Sequence, residues 1–245
     1  MINRSFVLSF FVAISLFSMP VLAQETETIS DPFEGYNRVI FKFNDAVDQN
    51  IMVPVVKGYR AVVPPPVRNG VHNVLTNLKS PITIGNQLLQ GDLTGAADAT
   101  TRMVVNTLLG LGGIFDVAAD GGLENEPEDF GQTLAVWGVP HGPYVIVPFL
   151  PPSSVRDYSG TLADMYVDPT RLWLMNTDRE GVYYAKFGVG VLDTRNEFLD
   201  ALADLRKNAI DYYATVRSAY AQRRAAEVAD SAGSGADIPD YSQGE

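Results

Sequence analysis

The segment from Pro140 to Pro152 sets the hardest limit on what this chain can become. It holds Pro140, Pro143, Pro148, Pro151 and Pro152, and its middle, Tyr144 to Leu150, is apolar. Proline lacks an N–H and has a fixed φ, so neither a regular helix nor an interior strand persists at that density. The segment is therefore irregular, and being apolar it must be packed against something. It lies within a longer stretch, Thr101 to Asp157. There a helix ends at Gly110, Gly112 and Gly113 follow at once, and an acidic, Gly-containing loop runs from Asp116 to Asp129. Glycines just past a helix suit a left-handed stop and close backbone approach, so Gly110, Gly112 and Gly113 are read as backbone-shaping. A long stretch without periodicity is uncommon in a compact domain unless it is functional.

The rest of the chain reads as helix, which makes the expected fold all-α. Asp31-Pro32 is a helix-start signal, with Asp as N-cap and Pro as first helical residue. Tyr36, Val39, Ile40, Phe43, Val47 and Ile51 recur at three and four, giving one helical face. Asn44 neighbours Phe43; turned inward, its amide needs partners, and the plainer reading is a cap or turn contact. Val53 to Val63 is a short helix or extended piece before Pro64-Pro65-Pro66. A helix over Val67 to Leu78 is expected to bury Val67, Val71, Val74, Leu75 and Leu78, and Ser80-Pro81 to restart a helix that Gly91 stops. Asp92 caps a helix from Leu93 to Leu109, whose expected buried face holds Leu93, Ala97, Val104 and Leu108. Asp168-Pro169 starts another, and Arg171 to Val191 is either helix or partly strand. From Leu192, Phe198, Leu202, Leu205, Ala209, Tyr213, Val216 and Tyr220 define one long amphipathic helix ending at Arg223-Arg224.

The two ends read differently. Residues 1–23 resemble a cleaved signal peptide: Arg4, then the apolar run Phe6 to Phe17, then Val21-Leu22-Ala23. That run falls short of the roughly 20 residues a membrane span needs. Residues 24–226 form the helical domain. Residues 227–245, acidic and rich in Gly, Ser and Ala, read as a disordered tail.

Composition removes several function classes. The net charge of −11 argues against nucleic acid and against broad adhesion to anionic lipid. There is no cysteine, hence no disulfide, thiolate site or cysteine nucleophile. His72 and His141 sit in no metal-ligand spacing, and there is no GxSxG elbow. Gly110-x-Gly112-Gly113 follows a helix rather than a strand, so it is not a dinucleotide fingerprint. The acidic loop lacks the one-three-five spacing of a calcium-binding EF-hand and reads as solvated. Ser153 or Ser154 with His141 and an Asp could compose a triad on paper, as trios in any long chain can. No catalytic residue, metal or cofactor is expected.

Several blocks, in order, resemble one family. They are Asp31-Pro32-Phe33-Glu34-Gly35-Tyr36-Asn37-Arg38 with Phe41-x-Phe43-Asn44, Pro66-Val67-Arg68-Asn69-Gly70, Leu89-Gln90-Gly91-Asp92, and Arg102 with Asn106 through Gly113 to Asp116. Phe130-Gly131-Gln132-Thr133-Leu134, Trp137-Gly138-Val139, Gly142-Pro143-Tyr144, Pro148 and Arg156-Asp157 continue the match. Together they resemble the MlaA (VacJ) family over about residues 31–220. The resemblance implies a ring-like, multi-helix single domain in the inner leaflet of the Gram-negative outer membrane, with a central amphipathic channel. It implies a non-enzymatic phospholipid transport component that clears mislocalised phospholipids from the outer leaflet. Its implied partners are phospholipid, a trimeric porin and a soluble periplasmic lipid carrier. By the same resemblance Phe43 and Asn44 lie in a motif that controls the channel state. Family members commonly carry a lipid-modified cysteine, which this sequence lacks, so the expected location is the periplasmic side of the outer membrane without a lipid anchor. The alternatives are an exported lipid hydrolase using Ser153 or Ser154 with His141, and a porin-bound structural scaffold.

Overall fold

A computed structural model describes residues 29–234; the signal-peptide reading of residues 1–23 lies outside them, as do residues 235–245. Within this span the architecture is all-α, with one two-residue antiparallel ladder. In order come α1 (Glu34–Val47), a π-helical turn (Asp48–Met52), α2 (Val53–Val62), α3 (Pro65–Gln90) and α4 (Leu93–Leu108). A short α5 (Val117–Asp120), α6 (Phe130–Val136), β1 (Tyr144–Val145) and β2 (Ser153–Ser154) make up the central stretch. Then follow α7 (Val155–Val167), α8 (Pro169–Asn176), α9 (Glu180–Glu197), α10 (Leu199–Asn208) and α11 (Tyr212–Ser234).

Local signals explain most boundaries. Asp92 caps α4 by accepting the Gly95 N–H at 2.9 Å, and Gly91 ends α3 at φ +85°. Asp168 accepts the Thr170 N–H to start α8. Asp129 and Gln132 form a reciprocal capping box at α6. Arg171 to Val191 is helical apart from the turn at residues 177–179, so the strand alternative falls away.

Four expectations are corrected. Helix α1 begins after Phe33, and Asp31 does not cap it; its carboxylate instead accepts from Asn37, Tyr213 and Arg217. Helix α3 runs unbroken through Pro81. The lost bond and ring clash cost about 3 kcal/mol, which the long packing of α3 against α4 outweighs. The long C-terminal helix is three helices. Ala209 is extended and Asp211 accepts the Ala214 N–H, so a new cap interrupts an otherwise continuous apolar period. Finally, α11 continues past Arg223-Arg224 to Ser234, into the stretch read as a tail. Ser231 there is buried and donates to Glu128.

The helices close a circuit. Helix α1 leads through the π-turn to α2, α2 packs on α9, α9 on α3, α3 on α6, and α6 on α11. Arg38 to Asp211, with Phe41 tilted against Tyr212 and edge to face with Tyr213, joins α11 back to α1. The tightest crossing is α6 over α7, where a Cβ on Gly160 would lie 2.2 Å from the Gly131 nitrogen.

Much of what is buried is polar, and many large apolar side chains are exposed. Asn37, Asn86, Gln87, Arg102, Asn106, Thr133 and Asp157 are buried. Leu93 (70 % exposed), Leu108 (73 %) and Val67 (55 %) face outward. On α4 the whole stripe expected to be buried faces outward, whereas on α3 only Val67 does, and Val71, Val74, Leu75 and Leu78 are half-buried. The interior faces of the two helices carry Gly70, Thr83, Asn86 and Gln87 on α3 and Gly95, Ala96, Ala99, Arg102 and Asn106 on α4. Periodicity finds a stripe but does not say which side is inside; a solvent that is itself apolar reverses the assignment. Among the described residues no helix is long and apolar enough to cross a membrane.

Candidate functional site

A proline-rich segment cannot satisfy its own backbone, so its polar groups must find partners elsewhere. Helix α1 supplies them from two asparagines seven residues apart, hence on one face. Asn37 Nδ2 donates to the Tyr144 carbonyl at 2.9 Å and its Oδ1 accepts the Ile146 N–H at 3.0 Å. Asn44 Nδ2 donates to the Val147 and Leu150 carbonyls, both at 3.0 Å, and its Oδ1 accepts the Phe149 N–H at 2.8 Å. Phe43 meets Phe149 edge to face, with ring centroids 5.2 Å apart. Phe149 itself has φ +66°, a strained backbone for a bulky residue.

The segment is therefore clamped twice, with different surroundings. Asn37 is fully buried beside Tyr144, Ile146 and Tyr213, the small apolar cluster of the fold. The Asn44 clamp lies at the rim, where Phe43 and Phe149 are exposed. Sequence reading singled out Phe43 and Asn44 and passed over Asn37, although the repeat of an aromatic-Asn pair at 36–37 and 43–44 was in view.

The glycines lie elsewhere, at the turn after α4. A Cβ on Gly110 would sit 2.2 Å from the Phe115 carbonyl oxygen. Gly112 has φ +74°. Gly113 has φ +93°, and a Cβ there would lie 2.7 Å from Asn77 Cβ. The turn thus packs its backbone onto α3. Its carbonyls and N–H groups bond back to α4, with Gly113 N–H donating to the Asn106 carbonyl at 2.8 Å.

The acidic loop after this turn is less solvated than its composition implies. Asp116 caps α5, takes two bonds from Arg102 at 3.0 and 2.8 Å, and accepts from Asn106. Arg102 also donates to the Leu123 carbonyl. Glu128 accepts from Gln90 and Gln132 at 2.8 Å, and Asp129 is held by Arg224. Arg224 also pairs with the buried Asp157 at 3.0 Å, tying α11 to α6 and α7. Burial pushes the Asp157 carboxyl up, but the Arg224 charge, the Tyr220 hydroxyl and Arg156 outweigh it and hold it below the usual carboxylate value.

Two adjoining cavities lie between α3, α4 and residues 122–126. The larger, about 220 Å³, is lined by Ser80, Thr83, Gln87, Asp98, Arg102 and Glu126 among others. The smaller, about 50 Å³, shares Ser80, Arg102 and Asn125 and extends along α3 to His72. Their walls mix hydroxyls, amides and charges with, in the larger, apolar surface such as Ala99 and Leu123. Among the described residues no cluster of three or more His, Cys, Asp or Glu could hold a metal. Ser154 is fully buried, and its hydroxyl caps α7 by accepting the Asp157 N–H at 3.1 Å.

Residues 29–227 match the family model described as MlaA lipoprotein. The chain is 40 % identical over 201 residues to the "Intermembrane phospholipid transport system lipoprotein MlaA" of Escherichia coli, covering 79 % of this chain and 76 % of that protein. It is 32 % identical over 208 residues to the protein of the same name in Haemophilus influenzae, covering 82 % and 80 %. A solved structure described as "Structural basis for maintenance of bacterial outer membrane lipid asymmetry" superposes with a TM-score of 0.72 at 38 % identity, over 81 % of this chain and 99 % of that one. These names correct the expectation of a location without a lipid anchor, because the relatives are lipoproteins. The architecture, the family model and the relatives together place the chain in the MlaA lipoprotein family.

Proposed function

We propose that this protein is a non-enzymatic phospholipid transport component that removes mislocalised phospholipids from the outer leaflet of the outer membrane and so maintains its lipid asymmetry. The observation that carries the reading is the inverted packing: polar residues inside, large apolar residues outside. In water such a surface is costly at about 25 cal/mol per Å² of apolar area; in a bilayer it is the favourable arrangement, provided the backbone is satisfied within helices. In this reading the ring lies within the inner leaflet, with its outward apolar side chains against acyl chains. A headgroup then travels along the polar walls beside α3 and α4 while the acyl chains remain in apolar surroundings.

In this reading Phe43 and Asn44 gate the path by holding the Val147–Leu150 loop, and Gly110, Gly112 and Gly113 fix the turn that flanks it. A trimeric porin supports the ring from its apolar outside, and a soluble periplasmic carrier accepts the lipid. The relatives' naming as transport components supports the non-enzymatic assignment.

The test is surface-exposed phospholipid in intact cells with and without the gene, scored together with lysophospholipid. More surface phospholipid in the deletion, reversed by the gene without breakdown products, is the expected result. Reversal accompanied by lysophospholipid would mean hydrolysis, and an unchanged surface would leave only a scaffold.

A further inference from the structure

The cavity between α3 and α4 carries more negative charge than its neighbours neutralise. Its lining includes Asp98 on α4 and Glu124 and Glu126 on the loop above. Its one cation, Arg102, is already engaged by both oxygens of Asp116 and by the Leu123 carbonyl. Burial raises the Glu126 carboxyl, and the charges of Asp230, Asp92, Asp98 and Glu124 raise it further.

An acidic group alone is only a solvated rim. The second observation is Gln87. This side chain is 2 % exposed, lines the same cavity, and its Oε1 has no hydrogen-bond partner. A buried amide oxygen left without a donor is rare and points to a group that is supplied from outside. One lining thus brings together an unpartnered neutral acceptor and the carboxylates of Asp98, Glu124 and Glu126.

A bare divalent cation does not fit, since no three ligating side chains converge among the described residues. A primary ammonium does. It carries three N–H donors and one positive charge on a small head, it needs acceptors rather than a fixed coordination polyhedron, and a volume of about 220 Å³ is ample for it. Resting on the transport reading above, we infer that this cavity is the subsite for the ammonium of an ethanolamine headgroup, with Gln87 Oε1 and the carboxylates of Asp98 and Glu126 as acceptors. Zwitterionic aminophospholipid is thereby favoured over anionic lipid of the glycerol-headgroup type, which brings no cation and meets the carboxylates with its phosphate unbalanced.

The test uses the full chain in detergent, offered equimolar dioleoyl phosphatidylethanolamine and dioleoyl phosphatidylglycerol, with bound lipid counted by native mass spectrometry. A charge-assisted hydrogen bond corresponds to roughly tenfold in binding, so the ethanolamine lipid should be retained about tenfold over the glycerol lipid. Asp98→Asn with Glu126→Gln should bring the two to parity by weakening only the ethanolamine lipid, and Gln87→Leu should act the same way. If the double variant loses its helical circular dichroism, Glu126→Gln alone, on an exposed loop, gives the same readout. Equal retention by the wild type, or a preference that survives both carboxylate changes, overturns the subsite. Putrescine bound without any preference between the lipids would mean a soluble amine is the ligand and overturns the headgroup assignment. Retention of neither lipid by the wild type would instead strike at the transport reading itself.

Discussion

Asn44→Ala isolates the outer clamp. The change removes two N–H donations to the Val147 and Leu150 carbonyls and one acceptance from the Phe149 N–H. Each such bond is worth about 0.5–1.5 kcal/mol net, and two of the three are solvent-exposed, which places the sum near 2 kcal/mol rather than at the upper limit. The strain of Phe149 at φ +66° works in the same direction, because a backbone held in a sparse region relaxes once its restraints go. About 2 kcal/mol is roughly a thirtyfold change in the local opening equilibrium. Amide hydrogen exchange, read residue by residue in detergent, should therefore show Phe149 opening about ten- to thirtyfold faster. Ile146, held by Asn37, should keep its wild-type rate, and the melting temperature should fall by roughly 4–8 °C. If Phe149 exchanges at the wild-type rate, the Asn44 bonds do not hold the loop and the gate assignment fails. If Phe149 and Ile146 accelerate together, the segment is one unit and the division into two clamps is wrong.

Other outcomes follow from the packing. Asn37→Ala should cost about 3 kcal/mol or more in a chemical denaturation series, since it strands buried partners on both sides; a loss below 1 kcal/mol would refute the inner clamp. Gly160→Ala places a Cβ against the Gly131 backbone and should destabilise by roughly 1–3 kcal/mol, seen as a lower melting temperature. Arg224→Met leaves Asp157 buried without its main counter-charge and should cost about 3–5 kcal/mol in the same denaturation series. The Asp157 carboxyl sits below its unfolded value, so its stabilising contribution is present above about pH 4 and is lost as pH falls through the lower folded value. Melting temperature should drop steeply below pH 4, and Asp157→Asn, though less stable at neutral pH, should show a shallower acid limb.

Helix existence was legible because its signals are local. The Asp92 and Asp168 caps and the Gly91 stop sit where the sequence put them, each an interaction between residues a few positions apart. What was not legible was direction. Leu93, Ala97, Val104 and Leu108 form a real stripe on α4, yet it faces out, because a periodic pattern carries no statement about the medium. The Ser80-Pro81 break failed for a related reason: packing between α3 and α4 acts over the whole helix and overrides one missing N–H. Asp211 shows the reverse case, a cap inside a continuous apolar period that divides what the pattern joined. At the site, the family motif brought Phe43 and Asn44 into view. Asn37 needed a different argument, that a segment full of prolines must borrow donors and acceptors, and a search for paired amides on one helical face would have found it.

The outward apolar faces bear on how this chain reaches its native state. Collapse in water is driven by hiding apolar surface, and a chain built this way cannot hide Leu93, Leu108 and their neighbours without turning its helices over. Refolding from denaturant into plain buffer should therefore give clumped, non-native chains, whereas addition of amphiphile should release the correct form. The same reasoning flattens the temperature dependence of stability, because unfolding within an amphiphile exposes little new hydrocarbon to water and the heat-capacity increment shrinks below the usual 12–15 cal/mol/K per residue. Calorimetry in detergent would show a broad, weakly curved stability profile, the signature of a molecule whose cohesion is hydrogen-bonded and ionic rather than oily.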